Sequence, residues 1–363
     1  MKPRKIAILT GGGDCPGLNA VIRAVAKKAL GEGCKVVGIE DGYEGLVKNK
    51  VRRLENSDVS GILTLGGTIL GTSNTANPYR YAIEDKKCKV IFKDYHRKAV
   101  NNFKKLKADA LVAIGGDGTL SIAYRLYEDG IPIVGVPKTI DNDILGTDIT
   151  FGFDTAVTIA TEGIDRVHTT AQSHHRVMIV EVMGRTAGWI ALHSGVAGGG
   201  DIILIPEIPY DINSVVKKIK ERHGKGKRFS IIVISEGAKP KGGDVVVKRM
   251  VKESFESARL GGVSFVLGNQ IEKLACGIET RAVVMGHLQR GGSPTPFDRV
   301  LATQLGTKAM DLVNEGAFGH MAAVRNNEFV KVSLREVAKG KRLVPRNHPL
   351  VESARSVGTC FGD

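Results

Sequence analysis

The chain has 363 residues, enough for two domains with proper cores, and 42% of them are hydrophobic while only 5% are aromatic. Glycine, at 45 residues, suits α/β architecture with many tight strand-to-helix turns better than a β-sandwich. The formal net charge of +14 attracts anions (phosphorylated metabolites, nucleic acid or lipid headgroups) without choosing among them.

The densest basic stretch, Lys225 to Arg228, holds only three cations and no aromatics, so it reads as a solvated segment and no nucleic-acid partner is expected. Cys15, Cys34, Cys88, Cys276 and Cys360 are scattered and never form a CxxC pair, which argues against a disulfide framework or zinc site and fits a reducing compartment. The apolar run Ile6 to Leu9 meets glycine too soon for a signal peptide. No apolar stretch approaches the roughly 20 residues that span a bilayer. A cytoplasmic protein with no membrane partner is expected.

In chain order, Lys5 to Thr10 predicts a strand, Gly11 to Gly17 a glycine turn, and Leu18, Val21, Ile22, Val25 and Ala29 the apolar face of a helix starting near Asn19. The pattern returns as a strand over Ala110 to Ile114, a turn over Gly115 to Gly118 and a helix from about Thr119. Ile133 to Val136 is a third β-branched run, ending at Pro137 and a polar loop. A second series begins after about Phe151, with strands over Arg176 to Val182, Asp201 to Ile205 and Phe229 to Ile234, and a helix over Ile212 to Arg222. Val283 to Met285 then runs into the Gly286 to Gly292 turn, and an amphipathic helix follows from about Pro296. Such alternation implies mostly parallel, doubly wound sheets. No linker is visible, so the two domains are expected to pack closely and exchange segments.

Two glycine turns each follow a strand and open a helix, and each carries an aspartate, Asp14 or Asp117. Glycine lets phosphate oxygens approach the backbone, and the helix N-terminus supplies free N–H donors and a favourable dipole. GxxxxGK[ST] is absent, which excludes a P-loop enzyme. The IGGDGT segment alone suits an NAD kinase or a lipid kinase equally well. Pro137 to Asp143, PKTIDND, adds two carboxylates two residues apart beyond a strand. Phosphoryl transfer needs such a pair, one near a metal and one near the attacking hydroxyl. MGRTAG at 183–188, SEG at 235–237 and GHLQRGGS at 286–293 each follow a strand and offer arginine forks, a glutamate and a histidine for a phosphorylated sugar. Taken singly these have plainer readings: Arg185 in a surface ion pair, Glu236 as a helix cap, His287 as a turn residue.

Together the blocks TGGGDCPGLNAVIR, GGTILGTS, IGGDGT, PKTIDND, SHHRVMIVEVMGRTAGW, ISEG, ETRAVVMGHLQRGGSPTPFDR and RSVGTCFGD resemble the 6-phosphofructokinase family over nearly the whole chain. The resemblance implies an α/β fold of two doubly wound, Rossmann-like domains with exchanged segments and an active site in the interdomain cleft. The donor domain would comprise 1–152 plus about 289–317, and the fructose 6-phosphate domain 153–288 plus about 318–363. Asp141 would be the base, with Asp143 beside it, Thr139 supporting the transferring phosphoryl and Arg185 stabilising transition-state charge. Asp117 would hold Mg2+. Gly12, Gly116, Gly118, Thr119, Lys138 and Arg80 would bind the donor. Met183, Gly184, Glu236, His287 and Arg290 would hold the sugar phosphate, with Arg176 and Arg281 reaching it from a neighbouring subunit of a homotetramer or dimer.

Donor choice is read from two positions. Pyrophosphate users of the family typically carry aspartate where this chain has Gly118, and glycine there leaves room for ATP. Those same users carry lysine at the position of Lys138, where familiar bacterial ATP enzymes have glycine. The combination resembles a group of ATP users related to the pyrophosphate branch, so ATP is expected, with pyrophosphate or dual use as the alternative. Asn74 stands where many members place a donor-contacting arginine, and Arg80 is the nearby substitute. Arg23 and Lys27 match an effector site, whereas His168 and Asp201 depart from it, so allosteric control is not expected. A non-catalytic relative is disfavoured because Asp117, Asp141, Asp143 and Arg185 are all present.

Overall fold

The computed structural model describes residues 3–84, 90–250 and 258–363; Cys88 lies outside them, and Cys15, Cys34, Cys276 and Cys360 are free thiols. The strands are, in chain order, β1 (Lys5–Thr10), β2 (Lys35–Ile39), β3 (Val51–Leu54), β4 (Tyr81–Glu84), β5 (Val90–Lys93), β6 (Ala110–Gly115), β7 (Ile133–Pro137) and β8 (Val177–Val182). There follow β9 (Ile202–Leu204), β10 (Ser230–Ser235), β11 (Val247–Met250), β12 (Ala258–Leu260), β13 (Thr280–Val284), β14 (His320–Arg325) and β15 (Glu328–Ser333). Seven form one sheet in the order β15-β14-β7-β6-β1-β2-β3, and four form another in the order β13-β8-β10-β9. The second is wholly parallel; the first is parallel except at its edges, where β3 and β15 pair antiparallel. Two hairpins, β4–β5 and β11–β12, stand outside both.

Parallel strands must be covered on both faces, and every residue of β6 and β8 is buried. Alternate residues serve two cores. Ala7, Leu9, Leu111 and Ala113 face one side of the first sheet, while Ile6, Ile8, Val112 and Ile114 face the other. That second core does not stop at the sheet. It continues through the helices Leu18–Gly31, Phe153–His174 and Trp189–Ala197 to Met178, Val180, Ile231 and Val233 of the second sheet. One apolar core is therefore common to both sheets.

The helix Pro296–Asn314 returns to the first sheet's side and packs on Leu18–Gly31, where Lys28 pairs with Asp311. Gly306 makes that approach possible, since a Cβ there would lie 2.8 Å from the Ala24 Cβ. The segment beyond about 318 does not go as expected. Residues 320–333 form β14 and β15, which extend the first sheet through β7 instead of joining the second. The physical reason is apolar: Met321, Ala322, Ala323 and Val332 are buried in the two cores flanking that sheet. After that detour the chain crosses to the second sheet, where the helix Pro349–Ser356 meets Trp189–Ala197 and Cys360 bridges Ile202.

The start of helix Phe153–His174 is fastened to the start of helix Pro296–Asn314. Fully buried Asp298 accepts from the Thr155 N–H at 2.8 Å and the Thr155 hydroxyl at 2.6 Å, while the Thr295 hydroxyl donates to Asp154 at 2.6 Å. Removing the carboxylate leaves a buried N–H and hydroxyl without their acceptor. Asp298→Ala is expected to lower stability by about 2–4 kcal/mol in urea unfolding, whereas Asp298→Asn should recover part of the loss.

Candidate active site

Each sheet brings three loops to its carboxyl edge. In the first sheet β1, β6 and β7 are adjacent and end in register, Thr10 beside Ile114 and Gly115 beside Pro137. Their loops carry 11–17, 116–119 and 138–144. In the second sheet β8, β10 and β13 are also adjacent, and their ends lead to 183–185, 236–237 and 285–290. This edge is where open α/β sheets bind ligands. The two edges face each other: the Arg290 guanidinium donates to the Asp14 carbonyl at 3.0 Å, and Asp141 lies close enough to Glu236 to perturb its charge.

The glycine turns are built for an anion. Gly12 has φ 80°, in the left-handed region, and its N–H donates to the Ser73 carbonyl at 3.0 Å. A side chain there would project toward the Lys138 ammonium, 3.4 Å from its first carbon. The second turn opens a helix at Asp117, two residues earlier than expected, because Gly116 takes the cap position without any side-chain cap bond. Asp117 thereby gains the favourable first turn of the helix dipole, and the amides at Gly118 and Thr119 lack a side-chain acceptor. Thr119 itself is buried, its carbonyl accepting from the Tyr43 hydroxyl at 2.8 Å.

The third loop is the most constrained. Lys138, Thr139, Asp141, Asn142 and Asp143 are all buried. The Asp141 N–H donates to the Thr139 hydroxyl at 3.0 Å, and the Thr150 hydroxyl donates to the Thr139 carbonyl at 2.8 Å. Asn142 sits at φ 51°, its side-chain oxygen accepting from the Thr150 N–H at 3.0 Å. This turn holds Asp141 with one carboxylate oxygen, Oδ1, buried and without a hydrogen-bond partner. Burial pulls the Lys138 ammonium down to about 8, with Arg290 adding to the effect, and it donates to the Gly13 carbonyl. Burial, reinforced by Asp141, pushes the Asp143 carboxyl well above the ordinary carboxylate range.

On the facing edge, Met183 is buried and its N–H donates to Gln289 Oε1 at 2.8 Å. Arg185 stands at φ 53° and its N–H donates to Glu236 at 3.2 Å. Burial and then the Asp141 charge raise Glu236 to about 7. Any side chain at Gly237 would push the Arg185 backbone aside: a Cβ there would lie 1.6 Å from the Arg185 carbonyl oxygen. Gly184 precedes that turn, and His287 stands exposed on the short 3-10 turn Gly286–Arg290.

Three anticipated residues lie elsewhere. Arg176 precedes β8 and Arg281 is the second residue of β13, both held by Glu279, with Arg176 Nε at 2.5 Å. The length of β8 separates them from Met183, roughly 20 Å at strand rise. Arg80 stacks on the Phe92 ring at 3.9 Å, over the β4–β5 hairpin. Asp201 pairs with Arg222 at 2.7 Å, and His168 meets Phe229 edge to face.

Sequence reasoning missed Lys341, Arg342 and Arg259. The Lys341 ammonium lies 3.2 Å from Asp117 and 3.3 Å from Asp143. Arg342 donates its N–H to the Asp143 carbonyl at 2.8 Å and stacks on Trp189 at 4.1 Å, while the Trp189 ring N–H donates back to the Arg342 carbonyl at 3.0 Å. Arg259 on β12 is depressed by burial and by neighbouring Arg185, Arg249 and Arg290. It lines a cavity of about 550 Å³ with Asn74, Thr75, Lys248 and Arg249. None of these stands in a motif with a recognisable spacing.

The arrangement fits a hard divalent cation. Two carboxylates already share one cationic centre, and a third, Asp141, has an orphaned buried oxygen beside them. Among the described residues no three His, Cys, Asp or Glu side chains enclose a metal by themselves. A cation here keeps most of its shell for water and phosphate oxygens, as magnesium does.

Comparison with known proteins agrees with this geometry. The sequence pattern of the phosphofructokinase family matches residues 5–313. ATP-dependent 6-phosphofructokinase 2 of Clostridium perfringens is 53% identical over the full length of both chains. Pyrophosphate–fructose 6-phosphate 1-phosphotransferase of Amycolatopsis methanolica is 50% identical over 94% of this chain and 96% of its own. The phosphofructokinase of Pichia pastoris superposes with a TM-score of 0.78 at 34% identity, covering 93% of this chain and 36% of that longer one. The chain belongs to the phosphofructokinase family.

Because Arg185 is fixed by the absence of a side chain at 237, Gly237→Ala is expected to cut kcat about a hundredfold, the usual cost of an ångström-scale misplacement, in a protein that still folds. Steady-state kinetics alongside circular dichroism would check it.

Proposed function

We infer that the chain transfers the γ-phosphoryl of ATP to the 1-hydroxyl of fructose 6-phosphate, giving fructose 1,6-bisphosphate and ADP. The observation that carries this reading is Asp141, whose Oδ1 is buried and unpartnered where the donor loops of one sheet meet Glu236 and Arg290 of the other. A carboxylate so placed accepts the proton of the sugar hydroxyl as its oxygen bonds to phosphorus and the bond from phosphorus to the ADP oxygen breaks. The glycine-turn amides and the ends of two helices hold the donor phosphates, and Arg185 and Lys138 neutralise charge on the moving phosphoryl. Magnesium, held by Asp117, would supply charge neutralisation on the donor phosphates when bound. No covalent enzyme intermediate is needed.

Met183, Gly184, Glu236, His287 and Arg290 supply the sugar site from this chain. Arg176 and Arg281 lie too far from Met183 to serve this chain's own sugar site, and released from Glu279 they would serve a second copy's, which supports a homo-oligomer whose sites are completed across an interface. The donor half would comprise 1–152, about 289–317 and the β14–β15 hairpin, and the sugar half the remainder. No helix among the described residues is long and apolar enough to cross a membrane.

Pyrophosphate is the second reading, favoured by one observation: Lys138 is buried against the first glycine turn, where its charge would reach a short donor. Gly118 favours ATP by leaving room for the nucleotide. It occupies the second position of an uncapped helix, and aspartate there would set a negative charge against the nucleotide phosphates. Turnover with ATP or pyrophosphate at matched concentration separates the two. Gly118→Asp is expected to lower kcat/KM for ATP by about 10²-fold, as a like charge set against the nucleotide phosphates would, while sparing pyrophosphate.

Asp141→Ser should reduce kcat by roughly 10²–10⁴-fold with sugar-phosphate affinity nearly unchanged. The raised Glu236 carboxyl gives a pH signature. Its neutral form is favoured in the folded site, so it gains charge as pH rises through about 7. Affinity for fructose 6-phosphate, whose hydroxyls donate to it, should therefore rise between pH 6 and 8. Glu236→Gln should flatten that profile in binding titrations.

A further inference from the structure

The Lys341 ammonium lies 3.2 Å from Asp117 and 3.3 Å from Asp143. It reaches them from a segment far along the chain that is itself clamped to the catalytic loop. Lys341 bridges Ile144 in antiparallel fashion, and the Arg342 N–H donates to the Asp143 carbonyl at 2.8 Å. Arg342 is locked against Trp189 by stacking and by the indole N–H, and the Val344 N–H donates to Glu207 Oε1 at 2.9 Å. Glu207 also accepts from the Gly188 N–H at 3.0 Å, at the start of the helix carrying Trp189. The backbone of this strap is thus fixed from both sheets, while its lysine ends in the carboxylate cluster.

Exposure differs among the three partners. The Asp143 side chain is 4% exposed, that of Lys341 24% and that of Asp117 39%. Asp117 is open to an arriving cation, Asp143 is not, and the four-carbon lysine stem has a route toward solvent. A carboxylate as buried as Asp143 needs a counter-charge when it is ionised. One ammonium supplies a single positive charge where a divalent cation would supply two.

We propose that Lys341 is a built-in counter-ion of Asp117 and Asp143, holding both carboxylates in place until a divalent cation displaces its ammonium. The proposal rests on the assignment of Asp117 as metal ligand. It makes Lys341 a positioning residue that weakens binding of the free metal and favours entry of metal together with donor phosphates, whose negative charge gives the displaced ammonium a new partner. The step exchanges one cation for another; no covalent bond forms or breaks.

The test needs no turnover. Mn2+ binding to the full-length protein, without nucleotide or sugar, is read from the electron paramagnetic resonance signal of the free ion. Removing a like charge at contact distance should tighten binding, by roughly tenfold after allowance for a mobile lysine. Lys341→Met is expected to show that gain, Lys341→Gln to show it should the methionine variant not fold, and Lys341→Arg to keep the wild-type value. A lysine that merely organises the site would have the opposite sign: neutral variants would bind Mn2+ more weakly. Weaker or unchanged binding in folded neutral variants overturns the proposal. Asp117→Asn in the Lys341→Met background tells the two failures apart. If it abolishes Mn2+ binding while Lys341→Met alone gave no gain, the counter-ion idea falls and the metal assignment stands. If a tightened site ignores Asp117→Asn, both fall.

Discussion

Three carboxylates, Asp117, Asp141 and Asp143, are drawn into one cleft, two of them buried away from water, and much of the surrounding architecture answers that cost. Burial disfavours the charged form of Asp143, and the neighbouring Asp141 charge adds to it, which is why that carboxyl is pushed upward. The neighbouring cations have correspondingly distinct situations. Lys138 is buried and pulled down to about 8, while burial works against the Lys341 ammonium and Asp143 and Asp117 hold it above the ordinary lysine value. Arg290 remains tied to a backbone carbonyl across the cleft. The charge pattern is thus poised for a ligand that is itself anionic and brings a metal.

The backbone follows the same logic. Side chains that do chemistry leave the carboxyl ends of parallel strands, where the loops are free to vary while the sheet is not. Within these loops Asn142 and Arg185 stand at positive φ, a region that side chains rarely adopt. Asn142 holds its conformation through its bond with the Thr150 N–H, and Arg185 through its N–H bond to Glu236 and the bare backbone of Gly237. Such conformations persist only where surroundings fix them.

Strands that are buried on both faces are legible in the sequence as continuous apolar runs, which is why Ala110–Ile114 and Arg176–Val182 read close to β6 and β8. Glycine-opened helices are legible too, within two residues. The hairpin β14–β15 is not, because Glu328–Ser333 mixes exposed and buried residues at a sheet edge and its partner β7 lies far away in sequence. In the site, residues in compact motifs are legible as a group, and Asp117, Asp141, Asp143 and Glu236 do converge. Lys341 and Arg342 are invisible locally, since their role comes from a chain crossing that no spacing encodes. The reverse holds for Arg176 and Arg281, whose motifs are recognisable but whose place is remote from the cleft within one chain.

The apolar core common to both sheets bears on how the cleft can move. Two domains joined by a thin neck swing about a hinge, with a few residues taking up the angle. Here Ile8 and Val112 belong to the same packed body as Val180 and Val233, and side chains at crystal-like density do not part cheaply. Wide opening would expose that body to water. Motion that keeps it dry is a sliding of helices across one another by small side-chain adjustments, the shear type of closure. The cleft would then tighten by small translations, and its grip on substrate would be set by the loops at its rim.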